Sequence, residues 1–320
     1  MPDTRSTGGR KKTRTRRTPA RAKGKQGLDV APSPKSERRA KGGPGEQPPH
    51  EWPGHEDRLR PPADHGETSY RGAEKLKGRR ALITGGDSGI GKAVAIAFAR
   101  EGADVAIAYF DEHDDAEDTV AWIEKAGRSA LAIPGDLRSP GHCRRVVART
   151  VQELGGLDLV VNNVAYQCEQ KDIRDIDDEQ LERTFRTNVF STFWIIQAAL
   201  EHLGEGASII NTGSVVALRG SPGLLDYSAT KGAVHVLTRS LADALAPTGI
   251  RVNCVAPGPV WTPLIPPTKP DDVEEFGADT LWKRPAQPAE LAPAFVFFAS
   301  ADSRYCTGEV LAITGSATSR

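Results

Sequence analysis

Tyr227 and Lys231 stand four residues apart in Tyr227-Ser228-Ala229-Thr230-Lys231, inside a helical pattern that runs to about Leu245. That spacing puts both side chains on one helix face. A phenol with a pKa of about 10 is a poor acid or base at neutral pH, and an ammonium one turn away favours its phenolate. Such a pair can give a proton to a substrate oxygen or take one from it. Ser214 precedes the tyrosine by 13 residues, just past an apolar run, where its hydroxyl can hydrogen-bond the same oxygen. Taken alone, a tyrosine and a lysine at this spacing also describe an exposed pair on a surface helix. The surrounding pattern has to decide.

A second candidate is Thr84-Gly85-Gly86-Asp87-Ser88-Gly89-Ile90-Gly91, between the apolar run Ala81-Leu82-Ile83 and a helical stretch to about Arg100. Glycines let a backbone turn sharply and approach a pyrophosphate, which the following helix N-terminus stabilises. The spacing Gly85-x3-Gly89-x-Gly91 differs from the usual GxGxxG, and a lone glycine turn is weak evidence. Its place between the first strand and the first helix points to a dinucleotide. Cofactor choice is read at the end of the second strand, where a carboxylate accepts from the ribose hydroxyls of NAD. Here the strand ends at Tyr109, and the first carboxylate, Asp111, comes two residues later. The absence of a strand-end acid favours NADP over NAD, although no arginine stands near it to take a phosphate.

These groups need a scaffold, and the chain supplies one. Short apolar runs at 81–83, 104–109, 129–133, 157–161, 207–211, 250–255 and 310–313 alternate with helical patterns of 12–20 residues. Continuous apolar strands separated by helices predict a parallel seven-stranded sheet covered on both faces, a doubly wound Rossmann α/β fold. In that context the catalytic reading of Tyr227 and Lys231 outweighs the bland one.

The combination resembles the short-chain dehydrogenase/reductase superfamily, of the single-domain type, over about residues 78–315. The motifs that carry it are the TGxxxGxG loop at Thr84–Gly91, Asp136 after the third strand, Asn162-Asn163, Asn188, Ser214, Tyr227-x-x-x-Lys231 and Pro257-Gly258. With the upstream Asp64-His65-Gly66-Glu67-x-Ser69-Tyr70, the loop looks like that of a bacterial subgroup of general stress proteins and glucose/ribitol dehydrogenase-like oxidoreductases. The resemblance implies that Tyr227 is the general acid for reduction and the base for oxidation. Lys231 lowers its pKa and holds the nicotinamide ribose, Ser214 orients the substrate carbonyl, and Asn188 supports a water in a proton relay. It implies a cofactor site of Thr84, Gly85, Asp87, Ser88, Gly89, Ile90, Gly91, Tyr109, Asp136, Leu137, Asn163, Ala165, Tyr227, Lys231, Pro257, Gly258, Val260 and Thr262. Asp136 bonds the adenine amino group, and Val260 and Thr262 meet the carboxamide and phosphates. It also implies a homotetramer. Three positions depart from the family pattern: Ala165 replaces a glycine, Gly213 a frequent second serine, and Ile313-Thr314-Gly315-Ser316 a common Val-Asp-Gly-Gly. None removes a catalytic group.

The 320 residues carry no net charge, but residues 1–50 hold fourteen Lys/Arg against four Asp/Glu, and residues 81–320 hold 21 against 32. The first segment, with almost no large apolar side chain, is expected to be a disordered basic tail over 1 to 50. Residues 51–78 read as an extended arm that Trp52, Leu59, Tyr70 and Leu76 anchor on the body or on a neighbouring subunit, and 79–320 as the catalytic domain. A basic tail also suits a nucleic-acid tether, but it has no aromatic before Trp52 to stack on bases. A nucleic-acid-associated protein and a catalytically silent NADP-sensing regulator are the competing readings. The intact Asn188, Ser214, Tyr227 and Lys231 argue against the second.

Cys143, Cys168, Cys254 and Cys306 are widely spaced and read as reduced, buried thiols, and no metal site is expected. No apolar run reaches the ~20 residues that span a bilayer, so a cytoplasmic location is expected. His113 and His142 are expected to be solvated, and the acidic run 111–118 to be an exposed helix start. Trp122, Phe185, Phe190, Phe193 and Trp194 are assigned to core or subunit interface. The segment after Thr262, with Leu264, Ile265, Asp271, Asp272, Glu274, Glu275, Phe276, Leu281 and Trp282, is expected to form a largely apolar substrate lid. The pocket walls show no charge pattern that selects one alcohol or carbonyl substrate.

Overall fold

The computed structural model describes residues 43–48, 51–269 and 273–316. The expected tail lies outside the described residues except for 43–48, as do Asp271 and Asp272 of the expected lid. Seven parallel strands form the sheet: β1 (Arg80–Thr84), β2 (Asp104–Tyr109), β3 (Ala130–Pro134), β4 (Leu159–Asn162), β5 (Ser208–Thr212), β6 (Arg251–Pro257) and β7 (Val310–Ile313). Their order is β3-β2-β1-β4-β5-β6-β7. The connection leaves β1 toward one edge and returns to β4 on its other side, so the C-terminal ends of β1 and β4 part into a crevice.

Neighbouring residues of one strand feed opposite cores, as the pleat requires. Ile83, Val105 and Ile107 face α1 (Gly89–Arg100) and a late helix Pro288–Ala299, where Phe98, Phe295 and Phe298 are buried. Leu82, Ala106 and Val160 face the other layer, with Val146, Val147, Ile195 and Ile196 from α3 (Pro140–Leu154) and α5 (Ser191–Ala199). Between these lie α2 (His113–Lys125), α4 (Asp178–Phe185) and a wide-turn segment Arg186–Phe190. A short α6 (Val216–Arg219) then leads into α7 (Leu225–Leu245), the helix predicted to carry the tyrosine and lysine. After β6 come α8 (Ile265–Thr268) and α9, the late helix already described. Local signals set the ends: Asp177 accepts the Gln180 amide at 2.7 Å to cap α4, and α3 opens on Pro140 and stops at Gly155 with φ +75°.

The arm lies on the body of its own chain. Leu59 packs with Trp261, Ile265 and Val273, and the Trp261 indole donates to the Pro61 carbonyl at 2.8 Å. Leu76 joins the α1 core, and the Tyr70 hydroxyl donates to Glu101 at 2.6 Å. The acidic run corrects one expectation: Glu112 and Asp115 are buried, and Asp115 accepts the Glu56 amide at 3.1 Å. His142 is half-buried, its ring lying where a Cβ on Gly135 would fall 2.5 Å away. His113 is exposed, yet its Nδ1 is bonded to the Tyr109 hydroxyl at 2.8 Å. Of the cysteines, all free, Cys143 and Cys254 are buried and the other two half-buried. Phe190 and Phe193 are exposed on this chain, while Trp194 leans on the α3–α5 core. Among the described residues no helix is long and apolar enough to cross a membrane.

His65 is the most heavily paired group of the arm, with Nε2 2.8 Å from Glu56 and Nδ1 2.9 Å from Glu67. Burial would lower its pKa, but the two carboxylates outweigh that and raise it to about 9, while Glu67 is held at about 2 against its own burial by His65. The His65 contribution to stability is therefore complete below its unfolded value near 6.5 and is lost as pH rises through 9. The Glu67 contribution is complete above 4.5 and is lost as pH falls through 2. The urea midpoint of the protein is expected to fall between about pH 6 and pH 10, and that of His65→Gln to start lower and converge with it. Parallel curves would remove His65 from the account.

Candidate active site

The C-terminal ends of the strands surround a cleft of about 1730 Å³, including its open mouth. The glycine loop forms one rim. Gly85 (φ +62°) and Gly89 (φ +51°) adopt the left-handed backbone that side chains avoid. A Cβ on Gly91 would fall 1.7 Å from the Gly85 carbonyl oxygen, so the last glycine is what lets the loop fold back on the first. Thr84 pins the loop to the end of β4: its Oγ1 accepts the amides of Asn163 (3.0 Å) and Val164 (3.2 Å), and Asn163 Nδ2 donates to Gly85 O at 2.9 Å. The first amides of a helix lack intrahelical acceptors and beside such a loop form an anion site. The loop thus fits a pyrophosphate, with backbone able to approach it closely.

Further along the cleft, Tyr109 shows its ring at the end of β2, and Asp136 is paired with Arg138 at 2.8–3.0 Å. Burial raises the Asp136 pKa, and Arg138 more than reverses this, keeping the carboxylate ionised. Asp87, fully buried, is pushed up to about 8 by that burial and by the Glu112 charge.

At the other end α7 brings Tyr227 and Lys231 to the wall, with Ser214 beside them. Lys231 Nζ lies 5.6 Å from the Tyr227 ring centroid and donates to the Thr212 carbonyl at 2.7 Å. Burial lifts the Tyr227 pKa to about 12 against the hydrogen bond with Ser214, and burial lowers Lys231 to about 8. For the tyrosine, burial outweighs the Ser214 hydrogen bond. Ser214 is oriented from behind, its amide donating to His235 Nε2 at 3.3 Å. His235, two turns after Tyr227, is buried and held neutral, at about 4, by burial and by the Lys231 charge.

Sixteen of the eighteen expected cofactor residues, Ser88, Ile90, Leu137, Ala165, Pro257, Gly258, Val260 and Thr262 among them, line the cleft together with Ser214. Thr84, Gly91 and Asn188 stand behind it. Asn188 sits in the wide-turn segment and is saturated by the Tyr166 backbone (2.7 and 2.8 Å) and Thr230 (3.0 Å). Ala165 packs on the apolar patch of Val215, Val216, Leu224 and Tyr227, which gives its extra methyl a place. Leu264, Ile265 and Phe276 of the expected lid face the cleft, but Leu281 and Trp282 are largely exposed. Sequence reasoning missed Arg138, His235 and the arm residues Trp52, Pro53 and Gly54, which also line the cleft or its supports. A histidine eight residues after the tyrosine was the one readable sign, since that spacing keeps it on the same helix face.

Comparison with known proteins agrees with this geometry. A family model described as enoyl-(acyl carrier protein) reductase matches residues 85–318. General stress protein 39 of Bacillus subtilis is 50% identical over 264 residues, 82% of this chain and 92% of that protein. Glucose and ribitol dehydrogenase of Daucus carota is 46% identical over 272 residues, 83% of this chain and 94% of that protein. A crystal structure of a short-chain dehydrogenase from Burkholderia cenocepacia in complex with NADP is 36% identical and superposes with a TM-score of 0.72, covering 75% of this chain and 98% of that one. Cleft, loop and tyrosine–lysine helix therefore place this chain in the short-chain dehydrogenase/reductase superfamily of oxidoreductases, in its general-stress-protein-like subgroup.

Proposed function

We propose that this protein transfers a hydride between NADP(H) and an alcohol, aldehyde or ketone, with Tyr227 as the general acid and base. The observation that carries the reading is the burial of Tyr227, Lys231 and Ser214 side by side in the cleft that the glycine loop opens. The NADP in the Burkholderia cenocepacia structure and the absence of an acid at the end of β2 support the choice of NADP. In this reading the loop Thr84–Gly91 holds the pyrophosphate, Tyr109, Asp136 and Leu137 hold the adenosine, and Lys231 holds the nicotinamide ribose. The nicotinamide supplies or accepts the hydride.

The chain's own residues manage the proton. Ser214 donates to the carbonyl oxygen as negative charge builds on it, and the neutral Tyr227 phenol delivers its proton there. A phenol held at about 12 by burial is protonated at neutral pH and so carries the proton that reduction of a carbonyl consumes. The ammonium of Lys231 then stabilises the phenolate left behind. Asn188 acts by holding the Tyr166 backbone and Thr230, and so the wall facing Tyr227. The arm and the body work as one catalytic unit. Four copies assemble into a homotetramer, with Phe190 and Phe193 among the side chains to be covered.

Screening NADPH and NADH oxidation against aldehydes, ketones and sugars tests the reading directly. No turnover of either cofactor with any carbonyl would remove it. Tyr227→Phe is expected to lower kcat by about 10²–10⁴-fold, the usual worth of a general acid, while the NADPH dissociation constant moves by less than about twofold. Undiminished turnover in that variant would sink the assignment of the proton donor. At Gly213 a Cβ would fall 2.2 Å from His235 Nε2 and 2.7 Å from Cys254 Sγ, both buried. Gly213→Ser is thus expected to cost about 1–3 kcal/mol of stability, as overpacking does, and to reduce kcat by displacing Ser214. His235→Ala in that background should recover part of the stability. Equal unfolding midpoints for Gly213→Ser and the parent protein would show that His235 does not fill this space.

A further inference from the structure

The motif Asp64-His65-Gly66-Glu67-x-Ser69-Tyr70 takes no part in hydride transfer, yet the structure connects it to the cleft at several points. Arg100, at the C-terminal end of α1, donates to the carbonyls of Gly66 (2.8 Å), Tyr70 (2.6 Å) and Glu67, and Tyr70 bonds the next residue, Glu101. Asp64 receives the Ala289 amide at the start of α9 and gives its own amide to Gln287. The remaining connection runs to the other end of α1. His65 Nε2 meets Glu56 Oε1 at 2.8 Å, and the same oxygen accepts the amide of Gly89 at 2.6 Å. Gly89 is the first residue of α1 and the second glycine of the TGxxxGxG spacing. The arm thus grips α1 at both ends.

We propose that Glu56, aligned by His65, is a positioning residue for the dinucleotide loop: it takes the Gly89 amide and so fixes the loop in the shape that receives the pyrophosphate. The inference rests on the reading that this cleft binds a dinucleotide. A lone carboxylate at the amino end of α1 would repel the phosphates that the end is built to attract. Here His65 carries a positive charge, and Lys92, buried one turn into α1, adds another, itself held to Asp118 at 2.6 Å. Glu67 from the arm, and Asp115 from α2 with His55 3.9 Å from it, face this point as well, so His65 and Lys92 offset the carboxylates only in part. Glu56 also gives its amide to Asp115, so its backbone is held as well as its side chain.

Fluorescence titration of the full chain with NADPH, together with amide exchange over residues 85–91, tests this. Glu56→Ala is expected to weaken NADPH binding about tenfold, the size of one charge-assisted hydrogen bond, and to speed exchange in the loop. Glu56→Gln keeps an oxygen for the Gly89 amide and should stay within about threefold of the parent. If Glu56→Ala does not fold, His65→Gln serves instead. It leaves the carboxylate uncompensated beside the phosphate site and should weaken NADPH by about tenfold, less so as salt is raised. Parent-like or tighter NADPH binding in Glu56→Ala, or parent-like binding in His65→Gln, overturns the proposal. A parent protein that binds no dinucleotide would instead fail the functional reading, so the two failures are distinguishable.

Discussion

The two hydrogen bonds that Thr84 Oγ1 accepts from the Asn163 and Val164 amides bridge the gap that the sheet topology opens between β1 and β4. At that gap the glycine loop and the segment after β4 must lie close enough to share one ligand, and a larger loop could not do so. Gly91 meets Gly85 with no room for a methyl, and Gly85 has Val164 Cα 3.1 Å from where its Cβ would stand. Once this corner is closed, α1 points its amino end into the crevice and Ala165 falls onto the patch that seats Tyr227. The glycine rim and the wall that carries Tyr227 are thus fixed by the two hydrogen bonds between strand ends.

Electrostatics follows from burial as much as from pairing. Tyr227 and Lys231 are both pushed toward their neutral forms, and Asp87 is pushed the same way. Arg138 keeps Asp136 ionised where the adenine end of a dinucleotide would lie. The cleft therefore presents a neutral phenol at one end and the Asp136–Arg138 ion pair at the other.

Much of this is written in local sequence. Strands buried on both faces read as unbroken apolar runs, and the observed bounds differ from the expected ones by two residues or fewer, as at Leu159–Asn162 against 157–161. Glycine spacing and the Tyr227–Lys231 step are likewise local facts. What escaped was non-local. Nothing in the acidic run 111–118 announces that Asp115 will meet the Glu56 amide 59 residues away. Asn188, expected to support a water in a proton relay, sits on the wide turn at 186–190, and its bonds to the Tyr166 backbone and Thr230 join residues far apart in the chain. Arg138 follows β3, and only strand pairing sets Pro134 beside Tyr109, so no reading along the second strand finds it.

His235 shows how such a departure arises. A serine before Ser214 would drive its Cβ into the histidine ring, so Gly213 and His235 have to be read as one choice. The choice has a consequence for the chemistry. With Nε2 accepting from the Ser214 amide, the ring is kept neutral one turn from Lys231, where a second positive charge would push the lysine to release its own proton. A neutral acceptor there holds the Ser214 backbone without adding a second positive charge beside Lys231.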